Sequence, residues 1–174
     1  MFKKNKGFTL TELVLVIVIL SIIVALAVPR FVNSMKRDTR IALLKGMEGT
    51  VKTAAELVRK QAVVNGKTTG QDSIEINGAA ITIHSGYPIG HWMYSMRYLI
   101  NQDSVVFLTA AKVCELEWCG RGYQKITPSG VRSTEGRIVK VYPYGFSWND
   151  ECGVYYVNHQ DGREPVIGLE TDDC

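Results

Sequence analysis

At 174 residues, with a formal charge of +3 and four cysteines, the chain has room for one modest domain beyond any anchor. Three of its charges are lysines ahead of residue 7, so the remainder is near neutral, which argues against a nucleic-acid-binding protein. Residues 30–64 carry eight basic and three acidic side chains, whereas residues 65–174 carry nine basic and thirteen acidic ones, so a basic helix is followed by an acidic domain.

Gly7-Phe8-Thr9-Leu10-Thr11-Glu12 opens an apolar run to Val28 in which, from Leu13 onward, only Ser21 is polar. With Phe8 and Leu10 the run is about 21 residues, which at ~1.5 Å per residue spans a hydrocarbon core of roughly 30 Å. A secretory signal has a shorter core of about 7–15 residues followed by a small-residue cleavage site. Here the run ends in Val28-Pro29-Arg30-Phe31, and the small residue, Gly7, precedes it. Cleavage after Gly7 would shed the basic leader and keep the helix. Lys3, Lys4 and Lys6 hold that end in the cytoplasm, so everything after the span is carried across.

Glu12 is the residue at odds with this span, because a carboxylate inside it costs about 2.5–3.5 kcal/mol on insertion scales. It needs a partner or a place at headgroup depth. Cleavage after Gly7 creates an α-amino group on Phe8, four residues away. Amine and carboxylate can pair within one chain or between staggered copies, and the second arrangement is an assembly signal.

These residues together, a Lys-rich leader, Gly7, Phe8, Thr9, Leu10, a carboxylate at the fifth residue of the mature chain and then an apolar helix, resemble the prepilin signal of type IV pilins and pseudopilins. The resemblance implies cleavage between Gly7 and Phe8 by a membrane prepilin peptidase, N-methylation of Phe8, and docking of subunits through Glu12. Pro29 matches the proline of that family's helix, where assembled filaments show a loosened backbone. Pro29-Arg30-Phe31 and Gly86-Tyr87-Pro88 are similar to the mannose-sensitive haemagglutinin pilins.

Past Pro29, which is expected to kink the helix without ending it, Leu44, Met47, Val51, Ala54, Val58 and Ala62 recur at spacings of three and four. This predicts one apolar stripe, with Asn65-Gly66 as the helix stop. Ser73 to Ile76 and Ala80 to His84 flank Asn77-Gly78 and predict a β-hairpin. Gly86-Tyr87-Pro88 reads as a turn, and His91 to Ile100 as a short helix whose aromatic and Met positions form core. Strands are expected at Val105–Leu108, Ile138–Tyr142, Val154–Asn158 and Pro165–Leu169, while Gly120 to Gly136 reads as loop. The predicted fold is α+β: a long N-terminal helix, membrane-spanning in its first half, with a small antiparallel β-sheet head, a lollipop-shaped pilin-like molecule. Its segments are a leader at 1–7, a transmembrane and assembly helix at 8–28, an amphipathic helix packed on the head at 29–65, and the head at 66–174.

Cys114, Cys119, Cys152 and Cys174 all lie in the head, on the oxidising side, where an even count reads as disulfides. Three connectivities are open, and Cys114–Cys119 with Cys152–Cys174 is favoured over the others and over a zinc site. The second bridge would bring Asp150 and Glu151 near Asp172 and Asp173, a weak calcium candidate. No other metal or cofactor is expected.

Catalytic signatures are missing: Gly66-Lys67-Thr68 lacks the rest of a phosphate loop, His84, His91 and His159 are scattered, and Ser129-Gly130 lacks the preceding glycine of a nucleophile elbow. A non-enzyme is expected. The resemblance implies the major subunit of a type IV pilus, a helical homo-oligomer for adhesion or motility. Such a subunit is held in the inner membrane before assembly and is extracellular afterwards. Its partners would be the prepilin peptidase, the pilus assembly machinery and a surface or glycan receptor, with no specific nucleic acid. The alternatives are a type II secretion pseudopilin or minor pilin and, from another class, a monomeric membrane-anchored adhesin using Trp92, Tyr94, Trp118 and Trp148.

Overall fold

A computed structural model describes residues 9–100, 105–109 and 112–174, with the side chains of residues 26–34 left aside. The fold is α+β, one long helix followed by antiparallel sheet. Helix α1 spans Leu10–Val64 and passes through Pro29 without ending. The chain divides into two units, one reaching to Arg40 and the other Ile41–Cys174.

In the first unit the described apolar side chains, from Leu13 to Val24, all stand exposed: Leu13 by 58%, Ile17 by 55% and Ile23 by 56%. The expected span at 8–28 falls partly outside the described residues. Among the described residues no helix is long and apolar enough to cross a membrane.

In the second unit the apolar stripe is buried. Leu44, Val51, Ala55, Val58 and Ala62 are each at most 4% exposed, whereas Leu43 and Leu57 on the other side of the helix are more than half exposed. Burial of each Leu or Val contributes roughly 1.5–3 kcal/mol, which offsets the propensity cost of Gly46 and Gly49. Gly66 adopts φ 69° and ends the helix: its N–H donates to the Val63 carbonyl (3.0 Å) and that of Lys67 to Ala62 (2.8 Å). This is the paired 5→2 and 6→1 closure that a left-handed glycine permits.

Two sheets follow instead of the single sheet expected from sequence. The first has order β1 (Gln71–Ile76), β2 (Ala79–His84) and β3 (Tyr87–Pro88). Asn77 and Gly78 take φ 52° and 78°, the double left-handed turn that matches strand twist. Tyr87-Pro88, read as part of a turn, is instead a short strand on β2; the turn is Ser85-Gly86, again with both φ positive. Ile74, Ile81 and Ile83 pack with Val58 and Ala62 of α1. A π-helical turn at Trp92–Met96 leads into the single turn α2, Arg97–Leu99, and buries Trp92, Met96 and Ile100.

The second sheet has order β4 (Val105–Phe107), β5 (Trp118–Gln124), β6 (Arg137–Pro143), β7 (Gly153–Asn158) and β8 (Val166–Glu170). All neighbours are antiparallel except β4 and β5. Strand β5 occupies part of the stretch read as loop. Its Gly120 and Gly122 disguise it, and packing requires them: a Cβ on Gly120 would lie 2.3 Å from the Trp92 ring, and one on Gly122 would lie 2.7 Å from the Trp92 nitrogen.

This sheet is covered on both faces. Val139, Val141, Val154 and Tyr156 share one core with Leu44, Val51 and Ala55 of α1. Ile138, Tyr142 and Val157 share another with Trp148 and the Cys114–Cys119 bridge. The second disulfide joins Cys152 to Cys174 across 22 positions. Replacing Cys152 and Cys174 together by Ser is expected to lower stability by roughly 3 kcal/mol, and the Cys114/Cys119 pair by roughly 2, because the longer loop gives the unfolded chain more entropy. Thermal melts of both double variants check that order; a larger loss at the shorter loop would contradict it.

Candidate functional site

Gly7 and Phe8 lie outside the described residues, so the structure begins at Thr9, the residue before the first turn of α1. Thr9 and Glu12 form a reciprocal cap. The Glu12 N–H donates to Thr9 Oγ1 (3.3 Å), and Glu12 Oε2 accepts from the Thr9 N–H (2.9 Å) and the Thr9 hydroxyl (2.8 Å). A Thr followed three residues later by Glu is the capping-box pattern, in which two orphan backbone donors are satisfied at once. The single chain thus supplies Glu12 with two donors of its own. Both fall on Oε2, and Oε1 makes no hydrogen bond among the described residues. A carboxylate offers about four acceptor positions, so Glu12 can keep its cap and still accept an amine.

A second polar constellation, missed from sequence, sits between β6 and β8. Lys140 and Glu170 are both fully buried, with Nζ 2.5 Å from Oε2. The ammonium also donates to the carbonyls of Asp150 (2.6 Å) and Trp148 (3.2 Å), so it is held by one ion pair and two hydrogen bonds. Glu170 Oε1 accepts from the Ser129 N–H (3.0 Å) and, in a shorter bond, from its hydroxyl. The pair crosses strand β7 at Gly153, where a Cβ would lie 2.7 Å from Lys140 Cε. Burial pushes the Lys140 ammonium below its ordinary value against the pull of Glu170. Burial acts upward on Glu170, but the bonds from Lys140 and Ser129 outweigh it and hold the carboxyl below the usual range. The available sequence signal was a lysine at the centre of an apolar strand, Ile138 to Tyr142. Ser129, noted there for its glycine neighbour, is a structural donor to this pair.

The acidic quartet is not gathered into a metal site. The Asp150 carboxylate caps the turn at Ser147, accepting from its N–H and hydroxyl at 2.7 Å each, and Asp173 accepts from the Glu151 N–H (2.6 Å). The Cys152–Cys174 bridge does bring Glu151 and Asp173 together, but through backbone amides. Among the described residues no three His, Cys, Asp or Glu side chains are placed to hold a metal ion, Asp150, Glu151, Asp172 and Asp173 included. Trp92, Trp118 and Trp148 are 4–8% exposed and belong to the cores; of the four aromatics considered for an adhesin face, only Tyr94 is open.

Comparison with known families matches residues 2–28 to the prokaryotic N-terminal methylation motif, the type IV pilin and prepilin signal. No curated protein and no solved structure matches the chain. The motif is that of type IV pilin-like and pseudopilin proteins. It implies processing by a prepilin peptidase and handling by the pilus assembly machinery, with filament formation, and a protein first anchored in the membrane and then carried at the pilus surface.

Proposed function

We propose that the chain is the major structural subunit of a type IV pilus, cut between Gly7 and Phe8, methylated on Phe8, and passed from the inner membrane into a filament that serves adhesion or motility. The observation that carries this reading is the methylation motif at 2–28, which takes in the start of α1, where the side chains from Leu13 to Val24 stand exposed and all but Ser21 are apolar. Residues 8–28 would be the membrane span, with everything from Arg30 onward outside the cytoplasm. In lipid those side chains are solvated by tails; in a filament, copies of the same helix replace the lipid. The exchange brings little net hydrophobic gain, so close packing and the Glu12 carboxylate set direction and register. Pro29 would ease the helix into that packing.

A pseudopilin or minor pilin shares the motif. Two disulfides and a sheet domain of more than a hundred residues favour a subunit exposed to shear at the cell surface. The test has two parts. Intact-mass and N-terminal analysis of protein from sheared surface filaments is expected to give a chain starting at methylated Phe8 and to find it as the dominant component. A product beginning after Val28 would overturn the class, and a correctly processed chain present only in traces would assign it to the minor subunits.

A further inference from the structure

Lys140 and Glu170 meet out of contact with solvent: both side chains are fully buried, and Nζ lies 2.5 Å from Oε2. Yet Oε2 takes no hydrogen bond among the described residues, so the nitrogen comes in off the direction that such a bond requires. A carboxyl C–O bond is about 1.2 Å long, which puts Nζ within about 3.7 Å of the carboxyl carbon. That is close to the ~3–3.5 Å separation from which positioned groups react. Gly153 keeps the approach open, because a Cβ there would lie 2.7 Å from Lys140 Cε and 3.3 Å from its Cγ.

The other carboxyl oxygen is held in the opposite manner. Oε1 accepts from both the Ser129 N–H (3.0 Å) and the Ser129 hydroxyl. A carboxylate can only accept, so the Ser129 proton is committed to it and the Thr127 hydroxyl donates to Ser129 Oγ (2.9 Å). Thr127 is held in turn by accepting from the Val131 N–H (3.1 Å). Two preset donors on one oxygen are the arrangement that stabilises the charge of a tetrahedral intermediate. Glu170 therefore has one oxygen in an oxyanion hole, the other free of hydrogen bonds, and an amine beside it. A pair built only for its charges would place a proton of Nζ on Oε2.

We propose that Lys140 and Glu170 condense into an internal amide between Nζ and the carboxyl carbon, a covalent tie from β6 to β8 across β7. One proton passes from Nζ to Oε2, giving amine and acid with no net change of charge. The nitrogen lone pair then attacks the carboxyl carbon, and the C=O pair moves onto Oε1, where Ser129 holds it. A second proton passes from nitrogen to Oε2, the C=O bond re-forms, and the C–Oε2 bond breaks with release of water. The balance is –NH3+ plus –COO− to –NH–CO– plus H2O, with no oxidant, reductant or activated donor. The remaining N–H keeps the nearer acceptor, the Asp150 carbonyl (2.6 Å). In water the ionised pair is the stable one; in the core two desolvated charges give way to an uncharged amide, and the water leaves for solvent. Burial holds the Lys140 ammonium below its ordinary value, which favours the amine. The Glu170 carboxyl is held below the usual range as well, so the neutral pair is a minor form and the reaction is slow. A freshly folded chain thus carries the ion pair, and the amide accumulates with time. The proposal does not depend on the filament reading.

The experiment follows the full chain in detergent micelles over several days at neutral pH, by intact mass after reduction of the disulfides and then by peptide mapping. A growing species lighter by one water is expected, together with a branched peptide that joins the Lys140 and Glu170 segments and is uncut by trypsin at Lys140. The branch separates this bond from loss of water as a succinimide at Asp161-Gly162. Ser129→Ala, which removes the hydroxyl from Oε1 and leaves the N–H, is expected to slow the accumulation about tenfold or more, and Ser129→Thr to restore it. Absence of the branched peptide from the folded wild-type chain at the end of the incubation would overturn the proposal. Equal rates in wild type and Ser129→Ala at unchanged melting temperature would overturn it too, by taking the oxyanion hole out of the reaction.

Discussion

Lys140→Met alone is expected to lower the stability of this protein by about 3–5 kcal/mol, because it leaves a fully buried carboxylate facing apolar side chains and a single serine. For a domain of this size that is a fall in Tm of roughly 10 °C or more. Glu170→Gln should cost about as much, for the opposite reason, since it strands a buried ammonium with no opposite charge, among two carbonyls and an amide oxygen. Lys140→Met combined with Glu170→Gln, which removes both charges and keeps an acceptor for the Ser129 N–H, should recover much of the loss. A double-mutant cycle measured by chemical denaturation therefore returns a large coupling energy. If the two single losses simply add, the pair contributes nothing as a pair.

The same site gives an acid dependence. The folded state holds Glu170 below the ordinary carboxylate range, so the ionised form stabilises the fold above the unfolded carboxylate pKa of about 4.3. That contribution is lost as pH falls through the lower folded value. Wild type is expected to lose more stability across this acid window than the double variant does. Equal slopes would exclude Glu170 as the responsible group.

Glu12→Gln is expected to abolish surface filaments while the protein remains in the membrane with its disulfides formed. The glutamine amide oxygen can still accept from the Thr9 N–H, and Gln serves in the capping box as Glu does, so the helix start survives the substitution. What disappears is the charge available to a neighbouring Phe8 amine through Oε1. Thr9→Val is the complementary variant: it removes the hydroxyl that caps Glu12, at a cost of about 1 kcal/mol, and leaves the charge. Filaments should persist there at reduced yield. Counting filaments by electron microscopy and quantifying membrane-bound subunit by immunoblot separates the outcomes. Normal filaments on Glu12→Gln would show that Glu12 matters as a cap and not as a charge.

The elements readable from sequence were those whose signals are local. The stripe at Leu44, Val51 and Val58, the Asn65-Gly66 stop and the Asn77-Gly78 hairpin each follow from residues within one or two turns of one another, so neighbours along the chain carry all the needed information. The same holds for the N-terminal methylation motif at residues 2–28, a signal carried by the linear sequence. Strand β5 escaped because Gly120 and Gly122 weaken strand propensity, and the reason for them is Trp92, nearly thirty residues earlier and pressed against their backbone. Lys140 was visible as a lone cation in an apolar strand, but its partner Glu170 lies on a strand two positions across the sheet, reached over Gly153. Four acids suggested calcium from sequence, whereas the bonds that Asp150 and Asp173 accept from Ser147 and the Glu151 N–H could be seen only in the fold. Periodicity and short motifs are set by covalent neighbours and were legible in the chain. Burial of a charge and a glycine forced by a ring arise from contacts between distant segments, and those exist only once the sheet has closed.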